Sequence, residues 1–200
     1  MNDVLELLDW KRRVLALYES VRSETDPEAA WALWRETRDE LFRAHPQSPL
    51  PEQERSGFTG LEYFDYEPRL RVLADVADAE EELRRIGASG NESVVFRRFA
   101  VASFELDGRP QSLDLHWLEG YGGGIFVPFA DATSGSETYG GGRYVLDSVK
   151  GADLGMEGER LVLDFNFAYN PSCAYDPRWI CPLAPSSNRL EVAVRAGERA

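Results

Sequence analysis

The sequence predicts a mainly β (α+β) protein: an antiparallel β-barrel or sandwich of about eight short strands, with an N-terminal helical hairpin packed on it. Three observations predict this. Apolar residues recur at three- and four-residue steps only up to about residue 46. Beyond residue 57 the period switches to two. Tight-turn signals then punctuate the strand candidates, with no helical pattern between them. The chain divides accordingly into a helical hairpin (1–46), a proline-rich connection (47–57) and an antiparallel β domain (58–200).

The first helix is predicted over 3–22, where Leu7, Trp10, Val14, Leu17, Tyr18 and Val21 form one apolar stripe on a charged cylinder. The second opens at Asp26, a capping residue, with Pro27 at the first helical position, where a missing N–H costs nothing. Its stripe is Ala30, Trp31, Trp34 and Leu41, and it stops before Pro46 because the residue preceding a proline avoids helical geometry. These stripes suit packing on the β domain better than display to a partner. His45 falls at the helix end, where a capping role outranks a ligand role. Pro46, Pro49 and Pro51 then stiffen the connection.

Strand candidates follow at Glu62–Tyr66, Leu70–Val76, Val94–Leu106, Gln111–Leu118, 124–129, 143–149, 160–168 and 190–196. Asp78–Arg85 reads either as a helical turn or as an edge strand. Asp107-Gly108 marks a hairpin, since a type I′ turn needs positive φ at both central residues. Tyr121-Gly122-Gly123-Gly124 and Tyr139-Gly140-Gly141-Gly142 echo one another 18 residues apart, too short for a propeller blade. A phosphate-binding loop needs a helix after its glycines; strands follow both triplets here, so turn glycines are the better reading.

Composition excludes several classes. Thirty-five acids against 22 bases leave a formal charge of −13, distributed over both halves of the chain, and such a surface repels nucleic-acid phosphates. Twenty of the bases are Arg; Lys11 and Lys150 are the only lysines. The acidic N-terminus lacks the basic start of a secretory signal, and no apolar run approaches a membrane span, so a cytoplasmic location is expected, with no membrane partner. On the same ground Asn91-Glu92-Ser93 carries no weight as a glycosylation acceptor. Cys173 and Cys181 are expected as reduced thiols. Seven residues between them is not the spacing of a zinc knuckle, and His45 and His116 add no second pair, so no metal or other cofactor is expected.

The chemically informative stretch is 160–189. Alternation places Asp164 and Asn166 side by side on one strand face, opposite Leu161, Leu163, Phe165 and Phe167. In a curled sheet that face becomes a ligand handle. The excursion through Asn170-Pro171, Cys173, Cys181-Pro182 and Asn188-Arg189 is long for a compact domain, and such excursions are more often functional than decorative. Nucleophilic use of Cys173 would need a base such as His116 and a cationic field from Arg143, Arg178 or Arg189; an inert cysteine is the simpler reading.

Several strings resemble the domain-of-unknown-function family 1684. They are Gly60-Leu61-Glu62-Tyr63-Phe64 with Glu67-Pro68, Phe129-Ala130-Asp131-Ala132-Thr133-Ser134-Gly135, and Glu137-Thr138-Tyr139 with Gly142-Arg143-Tyr144. Leu163-Asp164-Phe165-Asn166, Ala168-Tyr169-Asn170-Pro171, Cys173, Cys181-Pro182-Leu183, Asn188-Arg189-Leu190 and Ala196-Gly197-Glu198 complete the set. Cys181-Pro182-Leu183-Ala184-Pro185 departs from the family's Cys-Pro-Leu-Pro-Pro. The resemblance implies a β-rich core and transfers no activity. It singles out Asp131, Tyr139, Arg143, Asp164, Asn166, Tyr169, Asn170, Cys173, Asn188 and Arg189 as residues that either pin loops or grip a small polar ligand.

Two functions compete. One is a pocket at an end of the barrel, binding a small polar or anionic molecule through Arg143 or Arg189, with or without catalysis. In it, sheet curvature sets Asp164 and Asn166 opposite Arg143. The other is an interaction module that docks a protein through Trp10, Trp31 and Trp34.

Overall fold

The computed structural model describes residues 3–87, 93–120 and 122–200. Tyr121 and the Asn91-Glu92 pair lie outside them. Two long helices, α1 (Asp3–Ser23) and α2 (Pro27–Ala44), pack on a curled half-barrel of seven antiparallel strands. The strands are β1 (Arg71–Gly87), β2 (Ser93–Leu106), β3 (Arg109–Leu118), β4 (Ile125–Phe129), β5 (Arg143–Asp147), β6 (Met156–Glu157) and β7 (Arg160–Asp164), in the order β5-β4-β3-β2-β1-β7-β6.

Local chemistry accounts for the element boundaries. Asp26 caps α2, its carboxylate accepting from the Glu28 and Ala29 backbone N–H groups at 3.0 and 3.4 Å. The β2–β3 hairpin turns at Asp107 (φ 50°) and Gly108 (φ 72°), both in the left-handed region that its type I′ turn demands. The ambiguous 78–85 stretch is strand: β1 runs on through it against β2, with an irregularity between Asp78 and Glu82. The proline-rich connection is not wholly extended, since a four-residue helix, α3 (Glu52–Arg55), forms within it.

Three strand expectations need correction. Residues 62–66 form no strand, only a single bridge from Tyr63 to Glu198. Residues 190–196 form none either; they run beside 130–132, with the Leu190 N–H bonded to the Ala130 carbonyl at 2.8 Å. The 160–168 strand stops at Asp164, whose side chain caps a 3-10 turn over Phe165–Phe167. Short polar side chains that offer the backbone an alternative partner end strands in this way.

Two apolar layers result. One lies inside the half-barrel, around Leu113, Leu115, Phe129, Leu163 and Phe165. The other lies between the helices and the sheet, around Tyr18, Trp34, Phe96, Phe126, Phe167 and Tyr169. The curl is joined across its open side where β5 meets the segment after β7: Tyr144 and Tyr169 exchange two backbone hydrogen bonds of 2.9 and 3.1 Å. No helix among the described residues is long and apolar enough to cross a membrane.

Candidate functional site

Most of the predicted polar residues disperse into structural ties. Arg143 does not face Asp164. It is fully buried and paired with Asp131, also fully buried, at 2.8 Å. The same guanidinium donates to the carbonyls of Val194 (2.8 Å), Glu198 (3.2 Å) and Ala196, and it stacks over Phe129. Asp131 in turn accepts from the backbone and hydroxyl of Thr133, both at 2.6 Å. Arg143 therefore clamps the C-terminal segment to the barrel.

Asn188 accepts from the Asp114 N–H at 2.9 Å and donates to the carbonyls of Asp114 and Pro128. Arg189 is exposed, and its backbone bridges to Ala130. Asp164 and Asn166 do meet, Asn166 Nδ2 donating to Asp164 Oδ1 at 2.8 Å, but through the 3-10 turn rather than strand alternation. Asn166 also holds the Glu67 backbone through two bonds of 2.9 Å. Tyr139 touches the Cys173 thiol at 3.6 Å.

Both cysteines are free thiols. Burial pushes the Cys181 thiol up to about 11, so it stays protonated at neutral pH. His116 is fully buried on β3 against Phe96, and no contact joins it to Cys173 among the described residues. His45 is the C-cap of α2, its backbone N–H bonded to the Leu41 carbonyl at 3.0 Å, and its side chain also links the two helices. Its Nδ1 accepts from the Gln47 N–H at 3.0 Å, which leaves Nε2 to donate to Asp9 at 3.2 Å.

A cavity of about 260 Å³ lies between the helical pair and the 169–181 excursion. Helix α1 supplies Leu7, Trp10, Val14 and Tyr18, which explains why the stripe is only half covered above Leu17. Phe42, Tyr169, Tyr175 and Trp179 add rings from the other walls. The excursion is moored over it by Trp179 Nε1, which donates to the Pro49 carbonyl at 3.2 Å, and by Arg178, which donates to the Ser48 carbonyl at 3.3 Å.

Three cations line the cavity, and Arg38 is more buried than Lys11 or Lys150. Its guanidinium sits about 5 Å from the Trp34, Phe42 and Tyr169 rings. Nη2 donates to Glu198 at 2.8 Å and Nε to the Tyr63 hydroxyl at 3.3 Å. Nη1 makes no hydrogen bond among the described residues. Burial works against this charge, but the oxygens of Tyr63, Glu198 and Tyr175 more than offset it, so Arg38 is held firmly protonated. Glu198 is itself buried, which raises its pKa, and it also accepts from the Asn170 N–H at 3.0 Å and from the Tyr175 hydroxyl.

Asn170 thus shares Glu198 Oε2 with Arg38. Its Nδ2 donates to the Arg199 carbonyl at 2.6 Å, which assigns the other atom as Oδ1, and Oδ1 is buried without a partner. An unsatisfied buried acceptor costs about 1–3 kcal/mol.

Of the residues singled out from the sequence as ligand-binding, Tyr169 and Asn170 line this cavity; Arg38, Tyr175 and Trp179 line it too and were not singled out. One signal was present: Arg38 sits four residues after Trp34 and three before Leu41, a charge inside an apolar stripe.

A family model described as "Protein of unknown function (DUF1684)" matches residues 56–199. The chain belongs to the DUF1684 family. Its matched region includes the whole half-barrel and the excursion, but not α1 or α2, so this DUF1684 chain builds its cavity partly from residues outside the family match. A solution NMR structure, the uncharacterized protein from gene locus rrnAC0354 of Haloarcula marismortui, is 40% identical, with 83% of this chain and 90% of that chain covered, at a TM-score of 0.60. No curated protein matches.

Proposed function

We propose that the protein binds a small molecule with a flat apolar body and one anionic end in the cavity between the helical pair and the excursion. The observation that carries this reading is Arg38, whose charge is held in place by stacked rings and by Glu198 while Nη1 stays uncommitted. A carboxylate or other acceptor placed there gains a charge-assisted hydrogen bond in surroundings of low dielectric. The rings of Trp10, Tyr175 and Trp179 supply the apolar area that small-molecule sites use for affinity. The anchor is an arginine, as expected from the sequence, but one on α2 in place of Arg143 or Arg189. Burial of Trp31 and Trp34 leaves only Trp10 of the three tryptophans near a surface, which favours this reading over docking of a protein.

The test is a thermal-shift panel of aromatic carboxylates on the wild type and on Val14→Phe, a substitution that fills the cavity from α1. Stabilisation of the wild type by at least one carboxylate, lost in the filled variant, is expected. A panel without effect, or an equal response from Val14→Phe, rejects the site.

A further inference from the structure

A second opening lies at the other end of the helical pair, a groove of about 550 Å³ between the α1–α2 turn and β6–β7. Its chemistry is set by Asp164. The side chain is 2% exposed, and Oδ1 already accepts two N–H groups, the backbone and Nδ2 of Asn166, at 2.9 and 2.8 Å. Oδ2 takes no hydrogen bond among the described residues, and Asp164 is part of the groove's lining. No ion pair reaches this carboxylate among the described residues.

The strand register explains the vacancy. Arg71 of β1 is the cross-strand partner of Asp164, on the same face of the sheet, where opposite charges ordinarily pair. Its guanidinium turns instead to Glu157 of β6. Arg22, the other cation along the groove, donates to the Asp153 carbonyl. A buried carboxylate is thus left with one oxygen free of hydrogen bonds among the described residues, and Arg71 acts on it only without direct pairing.

We infer that this groove is a second binding site, which takes the ammonium group of a small organic amine with an apolar body. Three features select that class. A single open oxygen suits a compact –NH3+ donor, whereas a guanidinium fork needs both carboxylate oxygens, and Oδ1 is occupied. A hard metal cation needs several oxygen ligands, and no group of three or more His, Cys, Asp or Glu among the described residues is arranged to hold one. Val21, Ala30, Leu154 and Phe167 line the same groove and would meet an alkyl or aryl body. The strongly acidic surface raises the local concentration of cations outside the groove. This site is independent of Arg38 and of the aromatic cavity.

The test is NMR titration of the full chain with benzylamine in mildly alkaline buffer, with benzyl alcohol as the uncharged control. Benzylamine is expected to shift the Asp164 carboxyl carbon and the Asn166 side-chain amide. Benzyl alcohol should bind at least tenfold more weakly, and so should benzylamine to Asp164→Asn, which keeps the shape and removes the charge. If that variant fails to fold, the carboxyl carbon of the wild type still decides. No shift at Asp164, equal binding of the alcohol, unchanged affinity in Asp164→Asn, or shifts confined to the Trp179 and Asn170 cavity would each overturn the proposal.

Discussion

Two buried carboxylates, Asp131 and Asp164, show how one residue type takes opposite roles. Asp131 meets a guanidinium and three N–H or O–H donors, so its charge is fully compensated in a dry interior. Asp164 has only Asn166, and burial pushes its carboxyl up to about 6, against the pull of the Asn166 N–H groups and of Arg71. The first arrangement is scaffold, and the second costs stability at neutral pH for want of a partner. For the scaffold pair the consequence is direct. Arg143→Ala strands Asp131 and frees three carbonyls of the C-terminal segment, so a stability loss of about 3–5 kcal/mol is expected by urea denaturation. A loss below about 1 kcal/mol would mean that water replaces the guanidinium and that the clamp is dispensable.

Among the elements, β3 carries the residue most exposed to pH. His116 lies in the buried middle of the strand, with neither ring nitrogen hydrogen-bonded among the described residues and its ring edge-on to Phe96. Burial, opposed by Asp114 and reinforced by Arg84 and Arg98, lowers its pKa from 6.5 to about 4. The unfolded chain therefore takes up a proton as pH falls through about 6.5, while the folded chain refuses it until about 4. The stability that neutral His116 preserves is complete above about 6.5 and is lost progressively as pH falls towards 4, by about 3 kcal/mol. His116→Leu removes both the titration and the unsatisfied nitrogens. Its stability should fall less than that of the wild type between pH 8 and pH 5 in parallel denaturant titrations; an identical fall would place the acid sensitivity elsewhere.

At the scale of the whole molecule the dominant property is a net charge of −13 on a single compact chain. Surface arginines such as Arg69, Arg97 and Arg195 pair with neighbouring acids, but pairs of this kind contribute little each. The surplus of acids remains as self-repulsion. Raising salt from about 0.1 M to about 1 M shortens the screening length from about 10 Å to about 3 Å, while the Arg143–Asp131 pair, sealed from solvent, is hardly affected. The melting temperature is therefore expected to rise with NaCl. A fall would show that the surface ion pairs outweigh the surplus charge.

The same three scales separate what was legible from what was not. Both helices, the Asp26 cap, the Asp107-Gly108 hairpin and the antiparallel, mainly β class follow from the sequence by itself, because capping, turn geometry and periodicity depend on residues only a few positions apart. The family motif strings likewise marked residues that are structurally committed. Only the tertiary structure decided their partners. Arg143 takes Asp131 rather than Asp164, and the strand that would have carried Asn166 breaks into a 3-10 turn. Arg38 meets Glu198 across 160 positions, and Arg71 chooses Glu157 across 86. Such choices turn on how the sheet curls and where the excursion is moored. A carboxylate's local sequence is the same whether a distant guanidinium reaches it or not.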